Sequence, residues 1–243
     1  MKKTILSLVM AAGALTSCQT TDETASAPGK VAIAPVITRA TEVNFEAGDR
    51  IGLTIVKGGA AYADNSLLTF TGNVFTGELT WYDEALESST LMAYYPYDTA
   101  GTPTSFTVAA DQSGAGYGAS DLMASVKSGV APSASAVSMV FKHMLTKIVV
   151  DITNETGAGI AAVTLKNSVP TADFDLATLT VAADASAAAA DIKAQSVVDD
   201  KTYRAIMIPQ TAALTLAVEL ENGKVLSQKL AEAALAAGGQ YTV

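Results

Sequence analysis

The stretch Ser138-Met139-Val140-Phe141-Lys142-His143-Met144-Leu145-Thr146-Lys147-Ile148-Val149-Val150-Asp151-Ile152 decides the fold. Its first half alternates, with Met139 and Phe141 on one side. The alternation then shifts phase near Met144-Leu145 and passes into the denser run Ile148-Val149-Val150-Ile152. A period of two in so apolar a segment is the signature of a strand, and the shift predicts a long strand carrying a bulge or kink, buried on one or both faces.

Working outward, the same grammar repeats in both directions. Short apolar runs cover Arg50 to Val56, Leu67 to Phe70, Val74 to Phe75, Leu79 to Tyr82 and Leu91 to Tyr95. Gly48-Asp49, Gly58-Gly59, Gly72-Asn73, Gly77 and Pro96 punctuate them. Downstream, runs at Ile160 to Leu165, Leu176 to Val181, Tyr203 to Ile208, Leu214 to Leu220 and Lys224 to Leu230 follow. Asn222-Gly223 predicts a type I′ hairpin between the last two. Ala231 to Ala237 predicts one or two helical turns ended by Gly238-Gly239, and the chain closes on a minimal strand, Gln240-Tyr241-Thr242-Val243. Short strands separated by Gly, Pro and Asn at this spacing predict an all-β sandwich architecture. The composition of Pro132-Ser133-Ala134-Ser135-Ala136 suggests a linker, which gives two sandwich domains, residues 31–134 and 135–243.

The N-terminus supplies an address. Met1-Lys2-Lys3 is a positive n-region, and Ile5 to Leu15 is an apolar h-region too short to span a bilayer as a helix. Cys18 is the chain's single cysteine. It stands at the end of Leu15-Thr16-Ser17-Cys18, which resembles the lipobox of a bacterial lipoprotein precursor. That resemblance implies a signal peptide over residues 1–17, cleavage before Cys18 and attachment of diacylglycerol to its sulfur. Gln19 in the next position favours delivery to the outer membrane or cell surface. Residues 18–30, rich in Thr, Ser, Ala, Pro and Gly, read as a flexible tether. Val31, Ile33, Val36 and Ile37 then straddle Pro35, which forbids a helix and predicts at most a short edge strand.

Composition excludes several functions. The 243-residue chain has a formal charge of −9, which becomes about −11 without Lys2 and Lys3. With no basic cluster to neutralise phosphates, nucleic acid is not an expected partner. One cysteine permits no intrachain disulfide, so packing and sheet hydrogen bonds must hold an exported fold together. His143 is the lone histidine. Having no second His or Cys to share a zinc ion and no nucleophile motif beside it, it reads as a packed residue, and no enzyme activity or cofactor is expected. Gly114, Gly116 and Gly118 lack the Lys-Ser/Thr of a phosphate loop, and Asp49, Asp111 and Asp121 lack a calcium-loop spacing. Trp81, Tyr94, Tyr95 and Tyr97 admit either a sugar-stacking platform or core packing, with packing the simpler reading. Asp98-Thr99-Ala100 resembles a short bacterial O-glycosylation motif with Thr99 as acceptor.

Five segments in order, behind the lipobox, carry a wider likeness: Phe45-Glu46-Ala47-Gly48-Asp49-Arg50-Ile51-Gly52, Tyr94-Tyr95-Pro96-Tyr97, Ser120-Asp121-Leu122-Met123-Ala124, Phe141 to Ile148, and Tyr203 to Gln210. They resemble the fimbrillin family, the lipoprotein-derived subunits of type V pili. The resemblance implies two transthyretin-like β-sandwich domains in tandem behind a lipoprotein signal peptide. It also implies a protease that cuts after an Arg or Lys following the first strand, and assembly by insertion of a neighbouring subunit's strand into the vacated groove. Here the displaced strand maps to Val31, Ile33, Val36 and Ile37, and the cut to the Arg39–Ala40 bond. Outside the resemblance, Arg39 is an ordinary loop arginine. The few residues after Gly239 are short for a donor strand, which points to a tip or accessory subunit rather than a stalk subunit. The expected partners are other pilus subunits, the outer membrane through Cys18 and a host or bacterial surface receptor. The alternative is a permanently lipid-anchored surface lipoprotein that anchors a pilus or binds glycan or protein.

Overall fold

A computed structural model describes residues 29–37 and 44–243. Cys18, Arg39 and Ala40, with the signal peptide and most of the tether, lie outside the described residues. The first half of the chain lays down β1 (Lys30–Ile37), β2 (Arg50–Lys57), β3 (Ala60–Phe70), β4 (Phe75–Thr80), β5 (Ser89–Tyr95) and β6 (Ser105–Thr107). A single helical turn, α1 (Gly116–Ala119), then precedes β7 (Met123–Val130) and β8 (Val137–His143). The architecture is all-β, as the pattern predicts.

Apart from β6, these strands join one sheet in the order β1-β4-β3-β2-β5-β7-β8, and the sheet closes on itself between β8 and β1. Inward-facing apolar residues drive it, in strict alternation on β8. Ile51, Leu53 and Ile55 on β2 and Met139 and Phe141 on β8 are wholly buried, while their neighbours Ser138, Val140 and Lys142 face water. Gly58 and Gly59, with φ of 58° and 83°, make the two-residue turn that pairs β2 with β3. The enclosed core also takes Trp81, Leu68 and Leu91.

The kinked strand expected over 138–152 is two strands. β8 ends at His143, Met144 and Leu145 are both buried, and the Met144 N–H donates to the Leu122 carbonyl at 2.8 Å. There the chain passes from one core to another, which is why the sequence needs a phase shift. The linker expected at Pro132–Ala136 is a loop between β7 and β8, neighbours in the closed sheet. A division between residues 134 and 135 therefore falls inside that sheet; the change of core comes at Met144-Leu145. Composition suggested a linker because a tight polar loop and a tether share the same residues.

The remaining strands are β9 (Thr146–Asp151), β10 (Ile160–Ser168), β11 (Thr171–Asp175), β12 (Thr180–Ala183), β13 (Ala190–Lys193) and β14 (Gln195–Val198). Then come β15 (Thr202–Met207), β16 (Gln210–Ala212), β17 (Thr215–Leu220), β18 (Val225–Lys229), β19 (Ala233–Leu235) and β20 (Gln240–Thr242). Two four-stranded sheets, β13-β10-β17-β18 and β14-β15-β9-β20, supply Val163, Leu165 and Ile192 from one side and Ile148, Val150 and Met207 from the other to a second core. Smaller sheets, β12-β11-β6 and β16-β19, complete it. Through β6, the first half contributes a strand to the second.

Three local expectations change. Ala233–Leu235 is a strand paired to Gln210–Ala212, because so short an alanine run cannot repay helix nucleation while a partner edge is available. Leu176–Leu179 is the turn of the β11–β12 hairpin, held by the Asp175 carboxylate accepting from the Ala177 and Thr178 N–H groups at 2.8 and 3.2 Å. The β17–β18 hairpin forms as predicted, but of the dipeptide Asn222-Gly223 only Gly223 takes a positive φ, 78°, so the turn is not type I′. Among the described residues no helix is long and apolar enough to cross a membrane.

Candidate strand-exchange groove

The first strand closes the first sheet. Antiparallel to β4, it pairs Ala32 with Thr76 and Ile33 with Phe75; parallel to β8, it pairs Ile33 with Val137 and continues to Ile37 with Phe141. Val31 and Ile33 are wholly buried, Ile37 packs at the margin of the core, and Val36 is 45% exposed. Alternation sends one set of side chains inward and leaves Val36 outside. Pro35 lies past the last residue paired to β4, on a part of the strand with one neighbour, where a missing N–H is tolerated. The strand is thus longer and better enclosed than a proline-interrupted edge, and sequence reasoning missed its second partner. The β8 pairing joins segments about a hundred residues apart, which no local pattern encodes.

The flanking strands put aromatic rings beneath it. Phe75 on β4 and Phe141 on β8 meet the Phe45 ring edge-on, at centroid distances of 4.8 and 5.2 Å, and Tyr95 closes on Phe45 at 5.5 Å. Phe45 comes from the segment just after β1. An ion pair between Lys30 and Glu78 at 2.9 Å sits in water and adds little. With β1 absent, β4 and β8 would each present an unpaired edge, and the seats of Val31 and Ile33 would open between them.

At the other end of the chain, β20 lies parallel to β9, and the Val243 N–H donates to the Val149 carbonyl at 2.9 Å. The C-terminal residues line an apolar groove of about 760 Å³ between β18 and β20, whose walls include Ile148, Leu216, Leu226 and Tyr241. The sequence carried only a faint sign of it in Val225 and Leu226, which are partly exposed on an edge strand.

The other candidate residues are dispersed. His143 Nδ1 lies 2.7 Å from a carboxylate oxygen of Asp121, which is almost fully buried, at the junction of the two cores. Among the described residues no group of three or more His, Cys, Asp and Glu could hold a metal ion. Gly116 and Gly118 fall in α1, which seats Tyr117 in the second core with the Arg204 guanidinium 4.2 Å above its ring. The four aromatic residues do not form a platform: Trp81 and Tyr94 are buried in different cores, Tyr95 is half-buried, and Tyr97 lies apart in a surface cleft. Thr99 is exposed at a turn that Asp98 fixes by accepting the Ala100 N–H at 2.8 Å.

A family model described as fimbrillin-like matches residues 38–243, and the chain belongs to that family of fimbrial surface proteins. No curated protein matches it significantly. Among solved structures, the fold is similar to a candidate cell-adhesion protein from Bacteroides ovatus, with a TM-score of 0.71 and 24% identity over 90% of this chain and 92% of that one. It is also similar to one from Bacteroides uniformis, with a TM-score of 0.68 and 22% identity over 88% and 91%. A fimbrial protein from Bacteroides ovatus matches with a TM-score of 0.57 and 20% identity over 90% of this chain and 49% of that one.

Proposed function

We propose that this chain is a fimbrial subunit of tip or accessory type, exported as a lipoprotein on Cys18, cut between Arg39 and Ala40, and joined to its neighbour by insertion of a donor strand where β1 now lies. The observation that carries the reading is the position of β1. It is the strand that closes the first sheet, it seats Val31 and Ile33 in the core, and it precedes the proposed cut. Cutting there severs β1 from Phe45 and everything after it, so the strand is held by noncovalent contacts alone. An incoming strand would replace ladder hydrogen bonds to β4 and β8 and refill the same seats, the physics of β-augmentation. The engagement of β20 with β9 within the chain supports a subunit that accepts a strand over one that donates one. Outer-membrane delivery of the precursor and a glycan on the exposed Thr99 belong to the same reading.

The test is N-terminal sequencing of the subunit from surface-sheared filaments. The expected N-terminus is Ala40, and Arg39→Ala should hold the protein in the lipid-bearing fraction. Recovery of a Cys18 N-terminus in every fraction would reject maturation and leave a permanently anchored lipoprotein.

A further inference from the structure

The cleft beside Tyr97 brings aromatic rings, a cation, an anion and hydroxyl groups together. Its volume is about 470 Å³, and Arg50, Tyr97, Asp98, Ser105, Phe106 and Thr107 are among its walls. The Arg50 guanidinium lies 6.0 Å from the centre of the Tyr97 ring, and among the described residues it has no carboxylate partner. Both walls are held before any ligand arrives. On one side the Tyr97 N–H donates to the Arg50 carbonyl at 3.0 Å, the Asp98 N–H donates to the Tyr94 hydroxyl at 3.1 Å, and the Asn65 side-chain amide donates to the Asp98 carbonyl at 2.8 Å. On the other, Phe106 on β6 is paired with Ala172 on β11, and the Thr107 and Thr171 hydroxyls meet at 3.0 Å.

We infer that this cleft is a binding site for a neutral saccharide. A pyranose ring is apolar on its C–H faces and rich in hydroxyls at its rim. It therefore asks for an aromatic or proline surface bordered by groups that both donate and accept, and the cleft supplies these together. Tyr97 and Phe106 supply aromatic rings, Arg50 donates, Asp98 accepts, and the Ser105 hydroxyl does both. Charge selects against other ligands. One cation and one anion make the cleft locally balanced, while the chain as a whole, at −9, repels polyanions. A cationic ligand would meet the charge of the Arg50 guanidinium. A cleft of this size accommodates one or two sugar rings. None of its residues belongs to β1, β4 or β8, so this inference and the strand-exchange reading fail independently.

The experiment is affinity electrophoresis of the folded chain, produced without a glycan on Thr99, in gels cast with mannan, galactomannan, arabinogalactan or polygalacturonate. Retardation is expected with at least one neutral polysaccharide. It should fall about tenfold in apparent affinity in Tyr97→Ala and in Arg50→Gln, with the melting temperature of Arg50→Gln unchanged because that side chain is exposed. Three results would overturn the inference: no retardation by any neutral polysaccharide, retardation by polygalacturonate alone, or neutral-polysaccharide retardation that both substitutions leave intact. Arg50→Gln, which keeps the donor and removes the charge, guards against a folding defect in the tyrosine variant.

Discussion

Gln112 has no exposed surface, yet its amide is satisfied: it accepts the Ile206 N–H at 2.8 Å and donates to the Ile206 carbonyl at 2.8 Å and to the Ala109 carbonyl at 3.2 Å. The side chain imitates a strand partner for β15 and pins the β6–α1 connection to the second core. Gln112→Ala strips the Ile206 backbone of both partners inside the protein. It should cost about 2–3 kcal/mol in urea unfolding, far above the value for an exposed glutamine. Tyr95 ties stability to alkaline pH. Burial first, then the negative charges of Asp49 and Asp121, push its hydroxyl up to about 12. The unfolded chain gives up that proton near pH 10 and the folded chain holds it, so the stability Tyr95 contributes is complete below pH 10 and is lost as pH rises towards 12. Tyr94 and Tyr203, also raised by burial, act in the same direction. In denaturant titrations across pH 9 to 12, Tyr95→Phe should flatten the alkaline loss without abolishing it. Neither role was visible in the sequence. A buried glutamine and a solvated one are spelled alike, and a tyrosine's burial depends on strands far away in the chain.

Among the elements, β1 has the most to explain. Its inward and outward residues should separate cleanly in a stability measurement. Ile33→Ala leaves a cavity between β4 and β8 and should cost about 2–4 kcal/mol, whereas Val36→Ala, at an exposed position, should stay within about 0.5 kcal/mol. Equal costs at the two positions would contradict the inward seating of Ile33. The elements also show which local signals are trustworthy. The hairpin at Asn222-Gly223 was legible because a left-handed glycine between two apolar runs has few other uses. The turn at Leu176–Leu179 was not, since Leu179 takes a φ of 54° that a leucine adopts only under tertiary constraint. The expected helix at Ala231 to Ala237 gave way to a short strand for a similar reason: alanine favours helix only while no sheet edge competes.

At the scale of the molecule, two cores are stitched together by exchanges that ignore sequence order. β1 reaches forward to β8, β6 leaves the first half to pair with β11, and β20 returns to β9. The sequence by itself determined the all-β class, the strand-rich periodicity and the phase shift at Met144-Leu145. Each is a local property: side-chain alternation, turn chemistry and the spacing of apolar residues act within a few residues of each other. Val31 and Ile33 were marked as apolar by the same logic, as was their adjacency to Arg39. Only the tertiary structure decided that β1 closes a sheet, that the change of core comes after His143 instead of near Ala134, and that Tyr97 parts from Trp81 and Tyr94 to stand beside Arg50 and Phe106. Those outcomes depend on which strand edges meet, and backbone edges carry the same N–H and C=O groups in every strand. The choice among them falls to the shape of the assembled cores, which no stretch of the chain contains alone.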